Sequence, residues 1–357
     1  MNNSKENSFF TKKLLWWNEQ SNNRTMPWKA EKNPYKIWLS EIILQQTRVE
    51  QGLAYYNRFV TQYPTIEKLA LANDDDVFKL WEGLGYYSRC KNLLATARIV
   101  AFEHNGIFPN SYESILALKG VGPYTAAAIA SFAYNQPYAV VDGNVLRLLA
   151  RFFGIATPID STIGKKIFTT LAQQLIQKQP PATYNQAIMD FGATVCKPQL
   201  PLCTTCVLQK KCKALQQNEV SSLPIKTKKL IIKNRFFFFV VAIYQQQVYV
   251  QKRVEKDIWQ NLWQFIPFEM PANMSFDALQ SSESFQNIFT KPYQVKFVSA
   301  PLKQKLTHQH IEVTFVVLQL QHPLQLLQWQ LQPVKQLRQL PFPRIVTQFF
   351  ENNTSFT

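Results

Sequence analysis

Long apolar runs, cysteines and acidic residues are all scarce in this chain of 357 residues. The longest apolar run, 236–243, is far too short to span a bilayer. The first ten residues carry no signal-peptide pattern, so we expect a cytoplasmic protein without a membrane partner. Such a length is enough for two or three domains with substantial cores.

The five cysteines exclude a dispersed disulfide framework, because four of them fall in one short segment. Cys196, Cys203, Cys206 and Cys212 follow the spacing C-x6-C-x2-C-x5-C. Four thiolates in one loop can enclose a [4Fe–4S] cluster or a zinc ion. Zinc sites usually pair two C-x2-C hairpins, and this segment has one, so the spacing favours the iron–sulfur cluster over zinc. Cys90 stands apart, and we expect it to be a buried free thiol.

Positive charge dominates what is present. Lys and Arg number 39 against 23 Asp and Glu, which gives a net charge of +16, and the isoelectric point is near 9.6. This balance favours a polyanionic partner, of which nucleic acid is the commonest. A merely basic protein has the same composition, so the partner must be argued from motifs.

The hydrophobic pattern changes once along the chain, and this predicts a multidomain protein. Residues 1–215 read as an all-α domain of short helices punctuated by glycine and proline, and no strand is predicted before residue 230. A basic linker, 216–233, follows. Residues 234–350 are predicted to form an α+β domain, in which 236–244 and 248–252 flank Gln245-Gln246-Gln247 as a hairpin.

The stretch from Leu118 to Leu149 organises the first domain. Gly120-Val121-Gly122 is followed by Pro123 and a small-residue run, which predicts a helix-hairpin-helix over about 112–132. The free amides of the hairpin and of the next helix start form an anion site that can grip a DNA phosphate without reading sequence.

Two carboxylates are candidates for chemistry. Glu41 lies in a nearly all-apolar helix predicted over 34–46, with no Lys or Arg at neighbouring helical positions, so its pKa should be raised. A structural, hydrogen-bonded glutamate is the alternative. Asp142 precedes Gly143-Asn144 at a predicted helix start, where an ordinary N-cap is the alternative to a catalytic anion.

Together with the cysteine spacing, these motifs resemble those of the helix-hairpin-helix base-excision DNA glycosylases that carry an iron–sulfur loop. Within that superfamily, Ser40–Thr47 matches the pattern SE-x-x-LQQT of the MutY-type adenine DNA glycosylases, and Trp81–Arg89 matches their WEGLGYYSR block. Tyr124 stands where endonuclease III carries its nucleophilic lysine, so no Schiff base is expected. About 140 residues follow the cysteines, where that family carries a domain that recognises 8-oxoguanine.

The resemblance implies a role for each matching residue. Glu41 would protonate adenine at N7 and later help to activate water, while Asp142 would stabilise or capture C1′. Tyr124 and Asn144 would orient these carboxylates. The implied DNA contacts are the hairpin Gly120, Val121 and Gly122, the pocket residues Trp28 and Lys29, and the residues that wedge into the duplex, Gln46, Thr47, Leu84 and Tyr86.

The same resemblance implies that the C-terminal domain is Nudix-like. It also implies that the first domain binds one [4Fe–4S] cluster. Leu306-Thr307-His308 corresponds to the loop that reads 8-oxoguanine, with Leu306 replacing an aromatic residue, so selectivity over guanine should be weaker. No acidic Nudix box follows Trp263, so we expect no pyrophosphohydrolase activity.

The implied protein is a monomeric, monofunctional glycosylase that acts near the nucleoid on duplex DNA containing adenine opposite 8-oxoguanine or guanine. Two alternatives stay open. One is a bifunctional pyrimidine glycosylase and lyase of the endonuclease III type, and the other is a DNA-damage binder without catalysis.

Overall fold

The computed structural model describes residues 2–26, 28–227 and 231–353. The chain divides into two compact units. The first comprises residues 1–70 and 95–229, and the second comprises residues 71–94 and 230–357. Lys228 and Lys229 of the predicted basic linker lie outside the described residues.

The secondary structure is helical up to the linker and mixed after it. The helices, in chain order, are α1 Asn2–Gln20, α2 Pro34–Leu44, α3 Val49–Gln62, α4 Ile66–Ala70, α5 Asp74–Trp81, α6 Tyr87–Arg98, α7 Tyr112–Leu116, α8 Pro123–Phe132, α9 Gly143–Phe153, α10 Thr162–Ile176, α11 Pro181–Thr194, α12 Lys213–Gln216, α13 Phe276–Gln280, α14 Glu283–Ile288 and α15 Arg344–Asn352. A π-helical turn, Ile99–Glu103, extends α6, and 3₁₀ turns span Gln209–Lys211 and Val334–Gln339. Within the described ranges no helix is both long and apolar enough to cross a bilayer.

The strands are β1 Lys233–Tyr244, β2 Gln247–Lys252, β3 Trp263–Gln264, β4 Ile266–Met270, β5 Tyr293–Val298, β6 Leu302–Lys305, β7 Gln309–Leu320 and β8 Gln330–Pro333. In the described part of the chain no strand precedes Lys233, which confirms the prediction of an all-α first domain. Helix α1 begins at Asn2. Its polar first turns gain a tertiary contact, because Glu6 forms an ion pair with Lys213 at 3.4 Å.

One apolar core holds the helices of the first unit that matter for the site. Phe10 of α1, Phe152 of α9, Phe168 of α10 and Phe191 of α11 are all fully buried in it. A second packing surface joins α2 to α8, whose alanines leave room for a close approach. The ends of α2, α8 and α9 are therefore fixed relative to one another by packing rather than by helix propensity.

The second unit is built on an eight-stranded mixed sheet, in the order β3-β2-β1-β7-β5, with β4 paired to β1, β6 to β7 and β8 to β2. The pair β1–β7 is parallel, and the other pairs are antiparallel. Both faces of β1 are covered. Phe238 packs toward Phe285 of α14, while Phe239 packs against Phe315, which stacks on Phe349 of α15 at 4.2 Å.

This double coverage explains why the run 236–243 is continuously apolar instead of alternating. The predicted β1–β2 hairpin is confirmed, but its loop is one residue shorter than predicted. Gln247 pairs with Tyr244 in the ladder, and only Gln245 and Gln246 form the turn, with φ of +47° and +63°. A two-residue turn with both φ values positive matches the twist of the strands, and this geometry overrides the poor preference of glutamine for it.

That turn gives a direct test of the fold. Replacing Gln245 by Asn and Gln246 by Gly should raise the free energy of unfolding of the second unit by about 1 kcal/mol, because Asn and Gly adopt positive φ at lower cost. Native-state hydrogen exchange of the Val248 and Tyr249 amides measures the change. Gln247→Gly is the control and should weaken the ladder; stabilisation by that change as well would contradict the assigned register.

Candidate active site

Glu41 lies on the buried face of α2, in the apolar setting that the sequence predicts. The helix starts at Pro34 with Asn33 as its cap, whose side chain accepts a hydrogen bond from the Tyr35 amide at 3.0 Å. Residue Glu41 is 9% exposed. Burial raises its pKa to about 7, and the charge of Asp142 adds to the rise, while a hydrogen bond from Tyr124 opposes it. Glu41 can therefore carry a proton near neutral pH.

Asp142 is both the N-cap of α9 and the neighbour of Glu41. Its Oδ1 accepts a hydrogen bond from the Val145 amide, and its Oδ2 accepts one from the Asn144 side chain, each at 2.7 Å. Burial raises the pKa of this carboxyl too, but these hydrogen bonds and the charge of Arg147 act in the opposite direction. The N-cap interpretation is thus correct for Asp142, and it does not compete with a role in the site, since the capped carboxylate lines the same cavity as Glu41 and its charge acts on Glu41.

Tyr124 bridges the hairpin to this pair of carboxylates. It occupies the first turn of α8, and its hydroxyl donates a hydrogen bond to the Glu41 carboxyl group. The same hydroxyl lies 3.9 Å from Met189 Sδ. Burial raises the pKa of Tyr124 well above its ordinary value, so the hydroxyl keeps its proton and stays a donor.

Arg147 is a residue of this site that the sequence analysis missed. Its Nη2 donates to Asn144 Oδ1 at 2.8 Å and to the Gly192 carbonyl at 2.7 Å. Its Nε donates to the Cys196 carbonyl at 2.8 Å. A Cβ at Gly192 would come within 2.8 Å of Asn144, so glycine is required for this close approach. Arg147 therefore connects the side chain that orients Asp142 to the first of the clustered cysteines.

The two carboxylates open into a cavity of about 800 Å³, within the usual size of a ligand site. Six of the predicted site residues besides them line this one cavity: Trp28, Lys29, Gln46, Thr47, Tyr124 and Asn144. The Trp28 ring packs edge-on against Tyr56 at 5.4 Å. This part of the predicted site is thus brought together from segments far apart in the chain.

A fully buried carboxylate, Asp190, stands behind the wall of that cavity and was also missed. Arg24 Nη1 donates to it at 2.9 Å, Lys29 Nζ at 3.3 Å and Gln186 Nε2 at 3.0 Å. Asn22 completes the set at 2.9 Å. Since Arg24, Lys29 and Gln186 all line the cavity, Asp190 holds three polar side chains of its wall in place.

The predicted hairpin lies in the same unit but not in the cavity wall. Gly120 has φ of +74°, which favours glycine, and the Val121 amide closes the turn on the Leu118 carbonyl at 3.2 Å. Gly122 precedes Pro123 at the start of α8. A Cβ at Gly122 would meet nothing within 4 Å, so the approach to these amides is open enough for a phosphate.

The four clustered cysteines surround a separate small cavity of about 30 Å³, lined otherwise mainly by apolar side chains. None of the five cysteines is in a disulfide. Arg151 Nη1 lies 3.6 Å from Cys196 Sγ, and burial raises the pKa of Cys206 to about 12. Among the described residues no group of three or more His, Cys, Asp or Glu side chains is arranged to hold a metal ion. It is the chemistry of the donor set, four thiols around one apolar cavity beside a guanidinium, and not its geometry, that suits an iron–sulfur cluster.

The remaining predicted contacts belong to the second unit. Leu84 is buried, whereas Tyr86 is exposed, with φ of +49°. The Tyr86 hydroxyl lies 3.1 Å from Thr307 Oγ1. Leu306-Thr307-His308 forms the turn of the β6–β7 hairpin, in which Lys305 pairs with His310. Tyr86 and the predicted recognition loop are therefore neighbours within this unit.

Comparison with known proteins identifies two families along the chain, and the first match includes residues 71–94, which pack in the second unit. Residues 39–174 match the family model described as HhH-GPD superfamily base excision DNA repair protein, and residues 238–352 match the NUDIX domain. A structure of a thermostable thymine-DNA glycosylase is similar to 61% of this chain and all of its own, with a TM-score of 0.57 and 28% identity. Endonuclease III trapped on DNA has the same helical fold, with a TM-score of 0.53 at 18% identity.

Curated relatives are named adenine DNA glycosylase. The one from Buchnera aphidicola of Schizaphis graminum is 36% identical over 261 residues, which cover 73% of this chain and 75% of the relative. The mouse relative is 42% identical over 60% of this chain, and the match spans 44% of its longer sequence. The human relative is 42% identical over 60% of this chain.

Asp190 provides a test of the cavity wall. Asp190→Asn should lower the free energy of unfolding by about 1–3 kcal/mol, because Arg24 and Lys29 would lose a buried counter-charge. Displacement of the wall should also slow catalysis by about tenfold. Chemical denaturation and single-turnover kinetics measure the two effects. Glu351→Gln is the control, since Glu351 pairs with Arg344 at an exposed position and does not line the cavity; equal stability of Asp190→Asn and wild type would refute the assigned role.

Proposed function

This chain belongs to the adenine DNA glycosylase family and removes adenine from DNA, and we propose that the adenine it removes is mispaired with 8-oxoguanine or guanine. The observation that supports the chemistry is the pair Glu41 and Asp142, two carboxyl groups that share one cavity in different environments. A base must leave as a neutral molecule and the sugar becomes cationic, so one carboxyl should be protonated and the other ionised.

Glu41 is the general acid. A pKa of about 7 keeps a large fraction of this group protonated at neutral pH. It protonates the flipped adenine at N7, and the resulting carboxylate then accepts a proton from the attacking water. Tyr124 holds the carboxyl group through its hydrogen bond.

Asp142 is the anion that faces the sugar. Its two hydrogen bonds, from Val145 and Asn144, fix the carboxylate and favour its ionised form. In that form it stabilises the positive charge at C1′ or captures C1′ covalently. Arg147 keeps Asn144 in the orientation that donates to Asp142, because it occupies the Asn144 oxygen.

The adenine must leave the helical stack before these groups reach it. The open amides around Gly120–Gly122 and the start of α8 bind a phosphate of the strand that carries adenine. Trp28 and Lys29 bind the extruded base, and Gln46 and Thr47 contact the distorted duplex. Tyr86, the exposed member of the pair with Leu84, enters the stack beside the opposite base.

Leu306-Thr307-His308 reads the base opposite adenine. The Thr307 hydroxyl and the His308 ring supply polar groups for the edge by which 8-oxoguanine differs from guanine. Leu306 offers no aromatic face, so discrimination between these two bases depends on the polar groups.

The cysteine loop holds one [4Fe–4S] cluster through Cys196, Cys203, Cys206 and Cys212, with zinc as the alternative. When bound, the cluster cross-links the loop, and it is not required for a hydrolytic step. Arg147 and Arg151 donate to the carbonyls of Cys196 and Lys197, both at 2.8 Å, so the loop is fixed on the helix that Asp142 caps.

The first experiment is release of adenine from a duplex with adenine opposite 8-oxoguanine, with alkali added to cleave the abasic site. Glu41→Gln and Asp142→Asn should each slow release by about 100-fold or more, since each removes a group that acts on the transition state. Glu283→Gln and Asp277→Asn, first-turn acids of helices in the second unit, are the matched controls and should be unaffected.

Cleavage without alkali, together with trapping by borohydride, would instead support the pyrimidine glycosylase and lyase. Tight binding to the mispair by folded protein that releases no base would support the damage binder. Either result would overturn the proposed chemistry.

The raised pKa of Glu41 sets the pH dependence. Release should be fast while Glu41 is protonated and should fall as pH rises through about 7, the pKa of this group. In acid the rate should fall again as Asp142 becomes protonated. A single-turnover rate profile measures both limbs. A rate that keeps rising on the alkaline side would show that a protonated Glu41 is not required.

The cluster gives a prediction of its own. Purified protein should be brown and contain about four iron atoms per chain. Cys206→Ala should lose the iron, whereas Cys90→Ala, which changes a buried cysteine outside the cavity, should retain it. Metal analysis and visible absorption measure this. A colourless protein with about one zinc per chain would establish the zinc alternative.

A further inference from the structure

Arg235 carries a nearly buried guanidinium in the second unit. The proposed mechanism gives this residue no role. Its side chain is 8% exposed. Nε and Nη2 donate to the two oxygens of Glu269, each at 2.7 Å. Nη1 and Nη2 donate to the two oxygens of Asp257 at 2.8 and 3.2 Å. Two paired contacts of this kind fix both the position and the plane of the guanidinium.

A second arginine completes the network. Arg253 donates to Asp257 Oδ2 at 2.9 Å and to Gln264 Oε1 at 2.7 Å. The four charges balance, so the desolvation cost of the cluster is offset within it. The hydrogen bond with Arg235 is the main cause that lowers the pKa of Glu269, so this carboxyl stays ionised at neutral pH.

The network reaches the loop Leu306-Thr307-His308 through Gln309, the residue that follows the loop. Arg235 Nη1 donates to Gln309 Oε1 at 3.4 Å. The Gln309 carbonyl accepts from the Leu306 amide at 2.8 Å and so closes the loop. The Lys233 amide, two residues before Arg235 on β1, donates to the His308 carbonyl at 3.0 Å. The start of β1 thus contacts one end of the loop directly, at the His308 carbonyl, and the other end through Gln309, while Thr307 also contacts Tyr86.

We propose that Arg235 is a positioning residue that sets the preference for 8-oxoguanine over guanine by fixing the loop Leu306-Thr307-His308 against the start of β1. The inference rests on the proposed reading of the opposite base by this loop. The two bases differ at N7, which is a donor in 8-oxoguanine and an acceptor in guanine. A polar group can distinguish them only when it is held at hydrogen-bonding distance, because a mobile hydroxyl or imidazole can turn to suit either base.

An arginine is needed for this task. Its planar fork satisfies Glu269 and Asp257 and leaves a donor directed at Gln309, whereas the ammonium of a lysine is a point charge that cannot hold both carboxylates in one plane. Arg253 has no contact with the loop among its hydrogen bonds, although it shares Asp257. The two arginines therefore form a matched pair for a test.

The test compares Arg235→Lys with Arg253→Lys in the full chain. The first readout is hydrogen exchange at the Leu306 and Lys233 amides, the donors that hold the loop. The second is the ratio of single-turnover adenine release opposite 8-oxoguanine to that opposite guanine. Arg235→Lys should speed exchange at both amides and lower the ratio by about tenfold, the effect of losing one charge-assisted contact. Arg253→Lys should change neither.

Gln309→Ala provides a milder second variant, since it removes the link to the loop and leaves the ion pairs intact. It should shift both readouts in the same direction as Arg235→Lys. Unchanged exchange at Leu306 in these variants, or an equal loss of the ratio in Arg253→Lys, would overturn the inference. Thr307→Ala separates it from the proposed function: if that change leaves the ratio intact, the loop does not read the opposite base, and the effect assigned to Arg235 on preference is overturned with it.

Discussion

Keeping a carboxylic acid protonated in the presence of another carboxylate is the constraint on which this site depends. Glu41 meets it by desolvation, and the surrounding elements follow from that need. The helix that carries it must be apolar, Tyr124 must supply a neutral donor, and Asp142 must be held by hydrogen bonds that favour its charge. The arrangement costs stability. A glutamate whose pKa rises from 4.5 to about 7 on folding destabilises the folded state as pH rises through that interval, by roughly 3 kcal/mol above it.

Hydrogen bonds made by helix α9 offset part of the stability that is lost by burying Glu41. Its first turn holds Asp142, and its later turns carry Arg147 and Arg151, whose guanidinium groups satisfy carbonyls of the cysteine loop and of the linker segment at Leu223. A buried guanidinium without acceptors would be costly, and carbonyls of an irregular loop need donors. The guanidinium groups and the loop carbonyls therefore satisfy each other's hydrogen bonds. The cysteine loop and the Asp142 carboxylate are both held by helix α9.

The features of the fold and of the site that could be predicted from sequence are those determined by neighbouring residues in the chain. The apolar surroundings of Glu41 and the small-residue hairpin at Gly120 are visible in the order of residues alone, and the family resemblance gave Asp142, Tyr124 and Asn144 their roles. Arg147 and Asp190 were missed because the contacts that reveal their roles, from Arg147 to Gly192 and Cys196 and from Asp190 to Arg24 and Lys29, join distant parts of the chain. Asp190 lies 166 residues from Arg24 and 161 from Lys29, and no local pattern distinguishes it from an ordinary helix-surface acid. Turn geometry was missed for another reason, since two glutamines give no signal for positive φ.

The discontinuity of the second unit has a consequence for the order in which the chain can fold. Asp75 of α5 bonds to Lys252 and Trp263, at separations of 177 and 188 residues, and Lys79 bonds to the Leu340 carbonyl, 261 residues away. These partners leave the ribosome long after α5 does. Loop-closure entropy on this scale slows docking. Residues 71–94 therefore cannot form these contacts until the last strands have been synthesised. Until then their polar side chains are hydrogen-bonded to water.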